Sequence, residues 1–275
     1  MTDFRGGARS AAAHPSVDLA RSPGMAMLNK VPEVTLAFWV IKILATTVGE
    51  TGADFIAVTM KFGLNGTSII MGVLLAGVLA LQLRTRRYVP WVYWLTTVLV
   101  SIVGTLVTDN MVDNLGVTLP VATAIFAVAL TATFAAWYAS ERTLSIHSIH
   151  TTRRQVFYWA AILFTFALGT AAGDLAAEGL QIGYAWSAVI FAGLIAAVTA
   201  AHYGLKANAI LAFWIAYILT RPLGASLGDL LSQPVDVGGL GLGTVVTSGL
   251  FLAVILALVV WLTASRKQNA SIRAS

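Results

Sequence analysis

Phe38-Trp-Val-Ile-Lys-Ile-Leu-Ala-Thr-Thr-Val-Gly49-Glu50-Thr-Gly-Ala-Asp54 is the first of four copies of one pattern. An aromatic residue and a tryptophan are followed after nine residues by glycine, and after four more by aspartate. The other copies are Tyr93-Trp94…Gly104…Asp109, Tyr158-Trp159…Gly169…Asp174 and Phe213-Trp214…Gly224…Asp229. The tryptophans are 55, 65 and 55 residues apart, so two 55-residue steps sit inside a 120-residue duplication. Repeats at fixed spacing mark a chain built from one supersecondary unit used several times. Each unit carries an acid into an apolar segment.

The 275 residues are 58% hydrophobic and only 11% charged, and the mean hydropathy is +0.82. A water-soluble domain of this length is far more polar. The apolar runs fall at residues 34–53, 67–83, 89–107, 117–139, 155–172, 182–201, 207–223 and 244–264. A bilayer core takes about 20 helical residues to cross, so the sequence predicts an all-α membrane protein with eight transmembrane helices. The runs are continuous rather than alternating, which argues against a β-barrel. The four two-helix repeats are expected at about 34–83, 89–139, 155–202 and 207–264, in a single membrane domain over 31–265.

Basic residues set the orientation. Threading eight spans puts Arg5, Arg9, Arg21, Lys30, Arg84, Arg86, Arg87, Arg142, Arg153, Arg154, Lys206, Arg266, Lys267 and Arg273 on one side, and only Lys61 on the other. By the positive-inside rule both termini are then cytoplasmic, and the repeats run parallel to one another, N-in and C-in. Residues 1–30 lack the apolar core and cleavage site of a signal peptide and read as a disordered cytoplasmic tail, with 266–275 a second tail. The expected location is the bacterial inner membrane, and the expected partners are membrane lipid and a metal ion or small solute, with no nucleic acid. Oligomeric state is not encoded in any pattern here. Cysteine is absent, which removes disulfides, thiolate metal sites and Cys nucleophiles. No nucleophile–base arrangement, P-loop, G-x-S-x-G or H-E-x-x-H occurs, so the chain reads as a non-enzyme without a resident cofactor.

The motif aspartates have companions four residues away: Glu50 before Asp54, Asp113 after Asp109, Glu178 after Asp174 and Gln233 after Asp229. Residues so spaced share a helix face. Only Asp3, Asp18, Glu33, Glu141 and Asp236 lie elsewhere, so most of the acid is where it is costliest. An all-oxygen set of this kind suits Mg²⁺, Ca²⁺ or Mn²⁺, and carboxylates packed together also exchange protons, as a relay requires. Asp54, Asp109, Asp174, Asp229, Glu50, Asp113 and Glu178 are therefore the candidate metal ligands. Lys42 and Arg221, the two cations within spans, are the candidate balancing charges; they also leave an anionic or zwitterionic solute open. A ring of four repeats would bring the aspartates together, whereas a row of hairpins would not. The glycines fit close helix packing or a loosened helix, and Arg221-Pro222 is the expected kink. The tryptophans fit interfacial anchors. His147 and His150 fall in a connection, 141–154, expected to be a solvated loop.

Lys30-Val-Pro-Glu-Val-Thr, the 38–54 stretch, Thr143-Leu-Ser-Ile-His-Ser-Ile149 and Phe166-Ala-Leu-Gly-Thr-Ala-Ala-Gly-Asp174 resemble a bacterial family of uncharacterised membrane-anchored proteins built from repeats of a domain of unknown function. The resemblance covers about 30–265 and implies a multi-span inner-membrane protein with tandem repeats, without a substrate. In design the chain is also similar to small manganese/calcium-type exporters with duplicated Glu-x-Gly-Asp helices; here Glu50-Thr-Gly-Ala-Asp54 carries one extra residue, and the other copies lack the Glu. The resulting expectation is a secondary transporter for a divalent cation, such as Mn²⁺ efflux by proton exchange. The alternatives are a non-transporting scaffold or sensor, and a transporter of a small organic solute.

Overall fold

The structure, a computed structural model, describes residues 29–272, with side chains described to residue 265. Eight α-helices follow one another: α1 Leu36–Asp54, α2 Gly63–Arg84, α3 Pro90–Asp109, α4 Leu119–Glu141, α5 Thr152–Asp174, α6 Tyr184–Leu205, α7 Ala209–Ser232 and α8 Gly243–Ile272. Local chemistry sets several ends. Thr35, Thr151 and Asn208 accept backbone N–H groups of the first turns of α1, α5 and α7. Pro90 and Pro120 stand in first turns, where their missing N–H costs nothing. Arg142 and Lys206 close α4 and α6 in the left-handed conformation.

All eight helices are long and apolar enough to cross a membrane, and the chain is a multi-pass membrane protein. The odd helices are the inner ones: within an 18-residue apolar stretch of each, 56–78% of the residues are buried, against 6–22% for the even ones. The even helices turn residues such as Val73, Val128, Val189 and Leu256 outward, an apolar surface suited to lipid.

The inner helices form a closed ring, and the motif glycines are its contact points. A Cβ added to Gly49 would lie 1.8 Å from Ser101 Oγ, one on Gly104 2.6 Å from Phe166 Cβ, one on Gly169 2.2 Å from Arg221 Cγ, and one on Gly224 1.9 Å from Thr46 Oγ1. In every case the neighbour is the residue three before the next repeat's glycine, and the fourth contact returns to the first repeat. The sequence left a ring and a row open, and these contacts select the ring. They also make the glycines packing residues; the helix through each one is regular. Each outer helix leans on the next repeat's inner helix: α2 on α3, α4 on α5, α6 on α7 and α8 on α1. Neighbouring repeats thus interlock, as units that cannot bury their apolar faces alone must do.

The aromatic pairs form a second ring at the basic end. Phe38 meets Trp94 at 5.7 Å, Tyr93 meets Trp159 at 5.5 Å, Tyr158 meets Trp214 at 6.2 Å and Phe213 meets Trp39 at 5.7 Å between centroids. The Tyr93 and Tyr158 hydroxyls stand 2.5 Å apart. Trp94, Trp159 and Trp214 are at most 4% exposed and Trp39 is half-buried, so three of the four expected lipid anchors are core residues instead. Stacking across four helices buries more ring surface than an interface position would.

The 141–154 connection also departs from the solvated loop expected. Ile146 and Ile149 are buried, Leu144 O accepts from Trp214 Nε1 at 2.9 Å, and Glu141 pairs with Arg154 at 2.7 Å. Asn29 Nδ2 donates to Ile146 O, and Lys30 N to Ile149 O, each at 3.2 Å. Of the two expected tails, 1–28 and 273–275 lie outside the described residues, whereas Asn29 and Lys30 are buried and α8 continues to Ile272.

Gly104→Ala and Gly169→Ala should each cost about 1–3 kcal/mol, because a methyl group must enter a filled contact. Thermal melts of the detergent-purified protein, followed by tryptophan fluorescence, should show both transitions shifted down. Gly72→Ala and Gly193→Ala, where nothing lies within 4 Å, should melt with the wild type.

Candidate functional site

Beyond each of the first three motif aspartates the helix widens. Phe55–Thr59, Asn110–Asn114 and Leu175–Gly179 are π-helical, with five-residue bonds such as Met60 N to Phe55 O at 2.9 Å and Leu180 N to Leu175 O at 2.7 Å. A π turn adds a residue without breaking the helix and is common at functional sites. It carries these spans past the aspartates, so the acids lie within the helices and not at their ends as the run boundaries suggested. The fourth copy has no such turn: α7 stays α-helical to Ser232 and stops before Pro234.

The ring brings the acids together. One cavity of about 380 Å³ is lined by Asp54, Asp109, Asp174 and Asp229, by Glu50, Asp113 and Glu178, and by Gln233. All seven candidate ligands and the amide thus face one space. They occupy different depths. Glu50 and Asp229 are buried, Asp54, Asp109 and Asp174 are half-buried, and Asp113 and Glu178 are exposed at the mouth. The three companions are therefore not equivalent: Glu50 precedes its aspartate and lies deeper, while the other two follow theirs. Glu178 accepts from the Tyr184 hydroxyl at 2.9 Å. One carboxylate oxygen each of Glu50, Asp174 and Asp229 lie within 4.8 Å of one another.

Arg221 lies behind Glu50, fully buried and outside the cavity lining. Its Nη2 donates to Glu50 Oε2 at 2.9 Å and to Thr170 Oγ1 at 2.6 Å, and also to Thr105 Oγ1. Nη1 reaches Thr46 O at 3.4 Å. Arg221 belongs to the fourth repeat, and these partners belong to the other three. Its side chain therefore spans the ring. Lys42 lies toward the basic end, fully buried. Its ammonium donates to Thr220 Oγ1 at 2.8 Å and Tyr217 O at 3.4 Å, over the rings of Tyr217 at 4.3 Å and Phe166 at 4.8 Å. Lys42 reaches no carboxylate among the described residues. Of the two expected balancing charges, Arg221 is in direct contact with the acids and Lys42 is not. Pro222 sits inside α7, where it removes one helical hydrogen bond; nearby, Tyr217 O and Thr220 O accept from Lys42 and Thr46.

The family model described as Repeat of Unknown Function (DUF347) matches residues 37–88, 92–143, 157–208 and 212–268. The chain belongs to the DUF347 family. Each DUF347 match begins two residues before its motif tryptophan and carries one inner and one outer helix. The 65-residue step between the second and third copies holds ten residues more than the others, and there the chain forms the buried connection around Ile146 and Ile149. No curated protein and no solved structure matches the chain.

Thr105 and Thr170 were not among the candidates from sequence. Their signal lies in the DUF347 register: with Glu50 and Ala225, they directly follow the four motif glycines. The same register sets Arg221 level with Thr46, Ser101 and Phe166, so the charges of Glu50 and Arg221 stand out as unmatched at their two levels.

The two buried cations should respond differently to removal. Arg221→Ala leaves the Glu50 carboxylate without its partner, a change that costs about 3–5 kcal/mol in buried pairs. Lys42→Met replaces an ammonium that has no carboxylate by an apolar chain of similar length, and should melt at or above the wild-type temperature. Melts of both variants in one detergent check this; a larger loss for Lys42→Met would reverse the assignment.

Proposed function

We propose that this chain is a secondary transporter for a divalent cation, with Mn²⁺ efflux in exchange for protons as its working form. The observation that carries the reading is the single cavity lined by seven carboxylates from all four repeats. Oxygens bound to one ion at the distances of Ca²⁺ or Mg²⁺ ligation stand at most about 4–5 Å apart, and Glu50, Asp174 and Asp229 offer oxygens within 4.8 Å. Asp54 and Asp109 stand beside them as further ligands or proton carriers, and Asp113 and Glu178 attract cations to the mouth.

In this reading the repeats run parallel, with both termini in the cytoplasm of a bacterial cell and the acidic mouth on the far side of the inner membrane. The bias of basic residues toward the loops of the aromatic end supports that orientation. The aromatic ring, Lys42 and Arg221 fill the axis on the cytoplasmic side, so the conformation described is open to the outside. The same filled end favours a second reading, a sensor that binds the ion without passing it.

The deciding experiment is an element-resolved measurement of intracellular Mn, Mg, Ca, Fe, Co, Ni and Zn. It compares cells expressing the wild type with cells expressing the Asp54→Asn, Asp109→Asn, Asp174→Asn, Asp229→Asn quadruple variant at matched membrane levels. A selective fall in one metal, absent in the variant, is expected. Identical profiles across a wide range of metal loads would remove the transport reading.

A further inference from the structure

At the level of the motif glycines the ring is nearly symmetric, and one side chain breaks it. Arg221 sits three residues before Gly224, where the other repeats carry Thr46, Ser101 and Phe166. Its side chain packs on Gly169 of the third repeat and its guanidinium reaches Glu50 and Thr46 of the first, Thr105 of the second and Thr170 of the third. It is fully buried. The hold is one-sided. Nη2 has two hydrogens for three oxygens, Nη1 makes one long contact, Nε has no hydrogen-bond partner among the described residues, and the Phe166 ring lies 5.8 Å from Cζ. Arg–carboxylate pairs are frequently bidentate, and this one is made through a single nitrogen.

The target of Nη2 is Glu50 Oε2, on the carboxylate that stands with Asp174 and Asp229 in a set with oxygens within 4.8 Å of one another. A divalent ion held by those three groups and the guanidinium would be like charges competing for the same carboxylate, and the guanidinium is out of reach of solvent.

We propose that Arg221 is a tethered competitor of the transported ion, neutralising Glu50 when the site is empty and leaving it when the ion arrives. This rests on the reading of the cavity as a divalent-cation site. Ion and guanidinium then hold Glu50 in turn, so the empty carrier keeps a cation on its axis and the loaded one does not need it. Arg221 thereby acts as a specificity and positioning residue: a monovalent ion offers Glu50 no more charge than the guanidinium already does, and a divalent ion does. Thr105 and Thr170 are the oxygens that receive the guanidinium and set its height on the axis.

The test is Mn²⁺ binding to the purified full-length protein, read from the fall in free Mn²⁺ by electron paramagnetic resonance. Arg221→Gln, which removes the charge and leaves a shorter polar side chain, should bind Mn²⁺ about tenfold more tightly, within the range for two ligands that exclude one another. Arg221→Lys, which keeps the charge, should stay within about threefold of the wild type on the same basis. The gain in Arg221→Gln should vanish in an Glu50→Gln background. Unchanged or weaker binding by Arg221→Gln, or equal tightening in Arg221→Lys, overturns the inference. If the quadruple Asp→Asn protein has meanwhile lost binding, the cation-site reading survives that outcome. If neither wild type nor Arg221→Gln binds Mn²⁺, both fail together.

A measurement on the wild type alone guards against a misfolded variant. Infrared difference spectra with and without Mn²⁺, on protein carrying ¹⁵N-labelled arginine, should show guanidinium bands moving together with carboxylate bands. Carboxylate changes without any guanidinium change would overturn the inference.

Discussion

The close approach of four helices at four glycines is the constraint on which the rest of the structure depends. A Cβ on any of them would stand 1.8–2.6 Å from an atom of the next repeat, so no other residue allows these backbones so near. In lipid, where apolar burial gives helices little reason to associate, such contacts are a principal means of packing. Their cyclic order does more than hold helices together. It places five residues further on, in every copy, an aspartate that would be costly on a lipid-facing surface, and turns all four into one cavity. The polar interior is a consequence of the ring, and the ring is a consequence of small residues at a fixed position.

Symmetry then makes departures from it informative. Three copies widen into a π turn after the aspartate and one does not. One copy alone has a glutamate after its glycine, one alone has an arginine three before it, and ring closure makes these two repeats neighbours. A guanidinium and a carboxylate buried among hydroxyls are well placed to satisfy one another and poorly placed to do without. The structure therefore combines a symmetric scaffold of glycines and aromatics with an asymmetric charge pair at its centre.

Much of this was legible in the chain itself. Composition and run length were enough for eight membrane-spanning helices, and the spacing from Trp39 to Asp54, recurring at Trp94, Trp159 and Trp214, was enough for the repeat. The convergence of the aspartates was one of two arrangements the spacing allowed. What stayed hidden depends on contacts between distant residues. The tryptophans resemble interface anchors because depth along a helix is readable and the facing helix is not; Trp94 against Phe38 and Trp159 against Tyr93 exist only once the ring is closed. The 141–154 connection looked solvated because of its polar residues, while Ile146 and Ile149 carry its packing. The π turns have no composition of their own: Phe-Ile-Ala-Val-Thr, Asn-Met-Val-Asp-Asn and Leu-Ala-Ala-Glu-Gly share almost nothing. Lys42 and Arg221 both stood out as cations within spans, and both face the Phe166 ring, yet only position in the ring separates the one that meets an acid from the one that does not.

The most direct test of the account is an anomalous difference map recorded at the manganese edge from crystals of this protein grown with Mn²⁺. The account predicts a single strong peak inside the cavity, within coordinating distance of Glu50, Asp174 and Asp229. A map without a peak there at saturating Mn²⁺, or with its peak only at a surface site such as His147, would contradict it.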